Sequence, residues 1–451
     1  MYEVAGLDFP NRQAVNIHPF SLKVKIKIPT ELGRIRLCLS LAIATGCCYN
    51  DVMVVCLLCF LLGSILGLLA SEFADRWGCS QRYRSALPKK LFIVLMSGIG
   101  AAGLYCWEVQ NQMLVPLLPD MPLEMLRHIR IYIRPQDILN PSTPGMAQVL
   151  YHILIPRLVL HLIFFSLLLA ATLTDFYEMI IPDSITVVGT FTALFAALFF
   201  LYTALPVTEI GFTKGGTLVP DGVRFYKTYP MHIWSPNPTG ACSLIIMTLL
   251  WWFWCFAMLD RVWYSKLPLR KAQAIFWRYL YRSPRTKYII AAAVIMPLVF
   301  AWKNDGETQT ALYSALTGMA TGMILIWAVR LTSRWVLGME AMGFGDVTLM
   351  GMIGAFLGWQ AVLLIFFAAP FFGLIYGMIN LLLGRGRAVP YGPFLCLATV
   401  VVVITWSPIW SATAEFFAFG IGTIGLFLLV LLMLFAGLLH VVHKIMSGLQ
   451  R

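Results

Sequence analysis

Apolar residues run along this chain in blocks about as long as a membrane is thick, separated by short polar segments. The blocks fall near 50–72, 91–107, 150–174, 184–206, 240–259, 288–303 and 311–330. An unbroken stretch follows over 347–383, then blocks near 392–409 and 415–441. A bilayer-crossing helix takes roughly 20 such residues. The 347–383 stretch is long enough for two helices, with a turn at Gly358-Trp359 dividing them. The pattern predicts an all-α polytopic transmembrane bundle of about eleven spans, within a range of about nine to twelve.

Composition agrees. The 451 residues are 59% hydrophobic and only 12% charged, against roughly 25% charged in soluble domains. A formal charge of +12 does not point to nucleic acid, because the cations collect between apolar blocks. Loop 73–90 carries Arg76, Arg82, Arg84, Lys89 and Lys90. Loop 260–287 carries Arg261, Lys266, Arg270, Lys271, Arg278, Arg282, Arg285 and Lys287 against Asp260. Arg385 and Arg387 lie in 384–391, and Lys444 and Arg451 close the chain. All of these fit one cytoplasmic face under alternating spans. Loop 260–287 reads as a topology determinant on anionic lipid, with partner docking as the other reading. The opposite segments, 207–239 and 304–310, are less basic, and 217–226 has the alternation of a small hairpin. The first 37 residues hold six Lys/Arg, yet alternation places them outside. Either this tail translocates, or 38–72 forms a hairpin around Asn50-Asp51, or the true start lies elsewhere. The mixed, partly basic start shows no cleavable signal peptide.

The candidate chemistry is acidic. Asp346 closes Gly343-Phe344-Gly345-Asp346 at the mouth of an apolar segment, and Asp175 ends the 150–174 block. Ionisable groups at such depth are costly and point to function. Each has a plainer reading: Asp346 as a helix-start residue, Asp175 as a charge beside the headgroups. Four spans separate them, so both meet the same face. Two carboxylates at one depth can share a proton, one serving as base towards water and the other as acid towards a carbonyl. The ten cysteines make no disulfide framework. Cys56, Cys59, Cys106, Cys255 and Cys396 lie in apolar runs and read as packing residues. His440 and His443 lack a third ligand and read as a solvated helix end. Gly351, Gly354 and Gly358 read as helix packing, and Trp251-Trp252-Phe253-Trp254 as lipid-facing or interfacial.

Read together, these segments resemble the type IV prepilin peptidase family, leader peptidases among the GxGD membrane aspartyl proteases. The resemblance is carried by Met342–Leu349, by Gly354-Ala355-Phe356-Leu357-Gly358-Trp359-Gln360, by the Asp175 segment with Ile181-Pro182-Asp183, and by Pro390-Tyr391-Gly392-Pro393-Phe394-Leu395. It covers about 150–206 and 311–410. It implies Asp175 and Asp346 as a catalytic dyad, with Gly343, Gly345, Pro390, Gly392 and Pro393 supporting the site. The implied substrates are prepilin or pseudopilin precursors of type IV pili and type II secretion, cleaved at the cytoplasmic face of a bacterial inner membrane. Proteolysis by a carboxylate pair needs no metal or other cofactor. Many members hold zinc with four loop cysteines; here loop 73–90 has Cys79 alone, so that zinc site is absent. Bifunctional members methylate the new N-terminus with S-adenosylmethionine, but the first-span signature is only echoed in Leu62–Gly67, where Gly63 and Gly67 read as helix packing. Thr348 stands where the family usually has Lys.

The chain thus divides into a tail (1–49), four spans with the first acid (50–206), an insertion (207–310), a GxGD core (311–410) and a further span with the C-terminal tail (411–451). Membrane lipid is the other implied partner. Two readings compete with the peptidase: a transporter or channel using the acids as ion sites, and an inactive pilus-assembly scaffold.

Overall fold

The computed structural model describes residues 49–77, 87–110, 155–200, 205, 207–212, 218–224, 241–259, 269–303, 306–338, 342–384, 390–418 and 420–449. The N-terminal tail, the Cys79 loop, most of the 207–239 segment and the Arg385–Arg387 turn lie outside these residues. The first helices are α1 (Tyr49–Trp77), α2 (Leu87–Tyr105) with a π-helical turn at Cys106–Gln110, α3 (Ile155–Glu178) and α4 (Asp183–Phe199). A hairpin of β1 (Val207–Phe212) and β2 (Leu218–Arg224) follows, antiparallel, with an irregularity at Glu209/Ile210. Then come α5 (Ala241–Met258), α6 (Leu269–Arg282), α7 (Pro284–Trp302) and α8 (Gly306–Leu337). The chain ends with α9 (Phe344–Leu357), α10 (Trp359–Leu382), α11 (Gly392–Ile404), α12 (Trp406–Ala418) and α13 (Gly420–Leu449).

Each apolar block is helical, as the all-α reading requires. Among the described residues, seven helices (α1, α2, α3, α5, α7, α8 and α10) are long and apolar enough to cross a membrane. The pair α11 and α12, bent by 81°, makes an eighth if it counts as one span. The remaining blocks form shorter apolar helices, α4, α9 and Thr423–Gly437 of α13. Lipid-facing rows are plain on the outer helices: Leu57, Leu61 and Leu68 on α1, and Leu374, Met378 and Leu381 on α10, are exposed. Such surface is a liability in water and is matched by hydrocarbon.

The expected turn at Gly358 divides α9 from α10. Gly358 has φ 85°, a left-handed conformation that side chains resist. The fourteen residues of α9 rise about 21 Å at 1.5 Å each, less than the roughly 30 Å of hydrocarbon. Protein compensates: every α9 residue from Asp346 to Leu357 is buried, enclosed mainly by α8 and α4 and also by α10 and α11. The α8–α9 crossing is backbone against backbone. A Cβ on Gly354 would overlap the Gly318 carbonyl, and one on Gly322 would overlap that of Met350. Gly351 packs on Met323. The glycines of this segment therefore serve close helix packing.

The tryptophan run behaves differently from its expected lipid-facing role. Trp251 and Trp254 are buried, and Trp252 is exposed. Two of these indoles bind α7. Pro297 has no N–H, so the carbonyl four residues earlier loses its helical donor. That carbonyl belongs to Ala293, and the Trp252 indole N–H donates to it at 3.0 Å. Trp251 donates likewise to Ala292 O at 3.0 Å. With no water to satisfy a freed carbonyl in hydrocarbon, the indoles join α5 to α7.

Gly354→Leu should cost the folded state several kcal/mol, because the clash is with main chain that cannot yield. Gly377→Leu, where a Cβ meets nothing within 4 Å, should be neutral. Thermal unfolding of the purified protein in detergent checks both.

Candidate active site

Asp175 lies in the last turn of α3, and both its position and its burial follow from local sequence. The helix ends because Met179 adopts φ 54°, a left-handed residue closing the last turn through Met179 N–H to Asp175 O at 2.9 Å. The chain then passes through Ile181-Pro182-Asp183, where Pro182 stands immediately before α4. Asp346 sits in the first turn of α9. Its Oδ2 accepts the backbone N–H of Gly343 at 3.1 Å. This is half of a capping box, the half a glycine N-cap allows. The plain helix-start role and a functional role thus coexist in one carboxylate.

The two acids meet at one end of the bundle. Gly392, at the start of α11, donates its N–H to Asp175 Oδ2 at 3.0 Å across 217 residues of sequence. Asp175 is close enough for its charge to act on Asp346. Ile181 is wedged between the two motifs: a Cβ on Gly345 would stand 3.0 Å from Ile181 Cβ, and one on Gly392 would stand 2.8 Å from Ile181 Cδ1. The Gly392 Cβ would also stand 2.5 Å from Asp175 Oδ2. Both glycines are therefore fixed by close approach. Gly343 is exposed, Pro390 half-buried and Pro393 buried in the first turn of α11. All seven residues singled out in the sequence lie in these three motifs, which the fold brings together.

Asp175 and Asp346 are buried, at 5% and 7% exposure. Among the described residues neither has an ion-pair partner. Buried carboxylates without a cation are costly and mark functional sites more often than structural ones. Arg330 lies nearby, its guanidinium 5.7 Å over the Phe344 ring. Thr348 directs its hydroxyl to the Gly345 carbonyl at 3.0 Å and so turns it into the helix. Among the described residues no group of three His, Cys, Asp or Glu could hold a metal ion.

Two features escaped the sequence. Tyr391 packs its ring on the core, and its buried hydroxyl has no hydrogen-bond partner among the described residues. Burial first, and the charge of Asp346 second, hold its phenol above the usual range. At the other end of α3, Glu108 forms a fully buried cluster. Arg157 Nε donates to Glu108 Oε1 at 2.6 Å, and His161 Nδ1 lies 2.8 Å from Oε2. Glu108 and Arg157 are 0% exposed. The partners are 49 and 53 residues from Glu108, too far apart for a spacing rule to find. Cys56 lies 3.5 Å from Cys106, sulfur to sulfur.

The fold and site define a multi-pass helical membrane protein with two buried acids gathered at one end. Comparison with known proteins places it further. Residues 286–378 match the model of the type IV leader peptidase family. The matched segment includes Gly343–Asp346; Asp175 and Pro390–Pro393 lie outside it. The chain is similar to the prepilin leader peptidase/N-methyltransferase of Stutzerimonas stutzeri, 31% identical over 133 residues, 28% of this chain and 46% of that protein. It is also similar to the protein of that name from Pseudomonas aeruginosa, 33% identical over 136 residues, 29% and 47% of the two chains. The one from Aeromonas salmonicida is 30% identical over 96 residues, 21% and 33%. The chain thus spans less than half the length of these curated relatives. No solved structure gives a significant match.

Removing Glu108 alone should be severe. Glu108→Ala leaves Arg157 buried without its anion, at a cost of about 3–5 kcal/mol. Adding Arg157→Met and His161→Leu should recover most of that loss. Unfolding midpoints of the single and triple variants measure the difference.

Proposed function

We propose that this protein is a membrane aspartic endopeptidase that cleaves the leader of prepilin-like precursors. Its reacting groups are Asp175 and Asp346, set at the cytoplasmic face of a bacterial inner membrane. The observation that carries this reading is the pair of buried carboxylates, neither in an ion pair among the described residues, held at one end of the bundle by the N–H groups of Gly392 and Gly343. Sidedness is supported by the basic segments that follow the same crossings: Lys271, Arg278 and Arg282 lie between α5 and α7, two crossings after Asp175. The relatives' names supply the substrate class.

The chemistry follows from two acids sharing one proton. The ionised carboxylate takes a proton from a water molecule as the water oxygen attacks the scissile carbonyl carbon. The protonated partner gives its proton to the carbonyl oxygen, forming a neutral tetrahedral diol. Collapse breaks the C–N bond, with a proton returned to the leaving nitrogen. One water is consumed, and the products are a carboxyl and an amine terminus. The protonation steps belong to the pair, so assigning acid and base to one residue each is not required. The two backbone donors hold one oxygen of each carboxylate in place before substrate arrives.

No metal takes part in this sequence. Methyl transfer from S-adenosylmethionine, which the relatives' names include, is a separate activity and is not needed for cleavage.

Asp175→Asn and Asp346→Asn should each reduce cleavage of a co-expressed pilin precursor by roughly 10³-fold or more, while membrane insertion persists. Substantial cleavage by either variant would refute the dyad. Mass spectrometry of the product N-terminus fixes the cleaved bond and shows whether a methyl group has been added.

Gly392→Ala is a finer probe. Its methyl would displace the Asp175 carboxylate and disturb the N–H bond, and misplacement by about 1 Å costs on the order of 10²-fold in rate. The variant should insert normally and lose kcat while KM changes little. Single-turnover cleavage in detergent separates the two.

A further inference from the structure

The segment between α5 and α7 contains a helix that the proposed reaction does not use. In α6, Lys271, Arg278 and Arg282 are exposed. At 100° per residue, positions 271, 278 and 282 fall within about 40° of one another. They make a single row of cations. Trp277 and Tyr281, at 64% and 83% exposure, flank the row one helical turn apart. Ile275, 39% exposed, flanks it on the other side. No Asp or Glu occurs between 261 and 287, and among the described residues none of the three cations has an ion-pair partner. The helix packs chiefly on α7, itself a peripheral helix with exposed Tyr288, Ile290 and Val294.

The location is also fixed. Arg285, at the start of α7, forms an ion pair with Asp183, the first residue of α4. Asp183 follows Ile181, which touches both motif glycines. The helix therefore lies at the same membrane face as the two acids and beside their mouth. A soluble acidic partner would have to approach along that membrane surface. An anionic bilayer is already there, presenting phosphate oxygens at the depth where exposed Trp and Tyr side chains settle.

We propose that α6 is an anionic-phospholipid dock. Lys271, Arg278 and Arg282 bind phosphodiester headgroups, Trp277 and Tyr281 lie at headgroup level, and the Arg285–Asp183 pair sets the depth of the site mouth relative to that surface. The cations fit this occupant by charge. The aromatic flanks fit it because one end of each ring is apolar and the other polar. The inference stands on the membrane reading and does not require the peptidase reading.

The test is hydrogen exchange followed by mass spectrometry on the full-length protein in two sets of lipid nanodiscs. One is phosphatidylcholine alone and the other is phosphatidylcholine with phosphatidylglycerol. Juxtamembrane cations each contribute about 1 kcal/mol at an anionic surface, so exchange in 269–282 should slow by at least about tenfold in the anionic discs. A variant carrying Lys271→Gln, Arg278→Gln and Arg282→Gln should lose that difference while α3 and α9 exchange as in the unaltered protein. Equal exchange of 269–282 in both lipids overturns the dock. So does a lipid-dependent difference that survives the triple substitution. A failed peptidase reading would show instead as Asp→Asn variants that still cleave, with the exchange result unaffected.

Discussion

The bundle depends on the backbone crossing of α8 and α9 at Gly318 and Gly354. Without side chains between them, the two helices approach until each glycine faces the other's carbonyl. That approach lets α9, too short to span a bilayer by itself, sit wholly inside protein. A short helix enclosed in this way can carry a carboxylate at its first turn and keep it from the lipid. A span of ordinary length facing hydrocarbon could not hold Asp346 at that depth without a far larger penalty. The glycines therefore do two jobs along one helix: they bring α8 close at its middle and admit Ile181 at its start.

The same economy of bulk governs the meeting of the acids. Gly392 leaves space for the Asp175 carboxylate and supplies the N–H that binds it; Gly343 supplies the N–H that binds Asp346. Backbone donors carry no net charge. They orient the carboxylates without forming an ion pair. An arginine or lysine at either position would steady the acid more strongly but fix it as a permanent anion. On the proposed reading, a pair that passes a proton is better held by amides than by ions.

Much of this was legible in the chain. The apolar blocks became helices, the division at Gly358 fell where the sequence put it, and the three segments that hold the candidate site residues converge in space. The legible parts are local: a run of apolar residues, a glycine before an aspartate, a proline after a helix. What escaped depends on partners distant in sequence. Nothing near Trp252 says that its indole is engaged, because the partner is a carbonyl left without its donor by Pro297 on another helix. Nothing near Glu108 announces Arg157 and His161. The α6 helix was hidden for another reason. Its cations made the segment read as a loop, although their spacing is helical.

Helix α3 supplies an internal comparison for the meaning of its own buried charge. Arg157 and Asp175 lie 18 residues apart on it, about 27 Å by helical rise, close to the thickness of hydrocarbon. Both ends carry buried ionisable side chains, so burial alone does not distinguish them. Pairing does. At one end Glu108 is engaged on both oxygens by Arg157 and His161, an arrangement that holds α3 to the segment after α2. At the other end Asp175 meets a second acid, bound by an amide and lacking any cation among the described residues. One cluster sets its acid directly against basic side chains. The other leaves its acids without such pairing among the described residues, and that difference is the physical basis for proposing that the chemistry lies there.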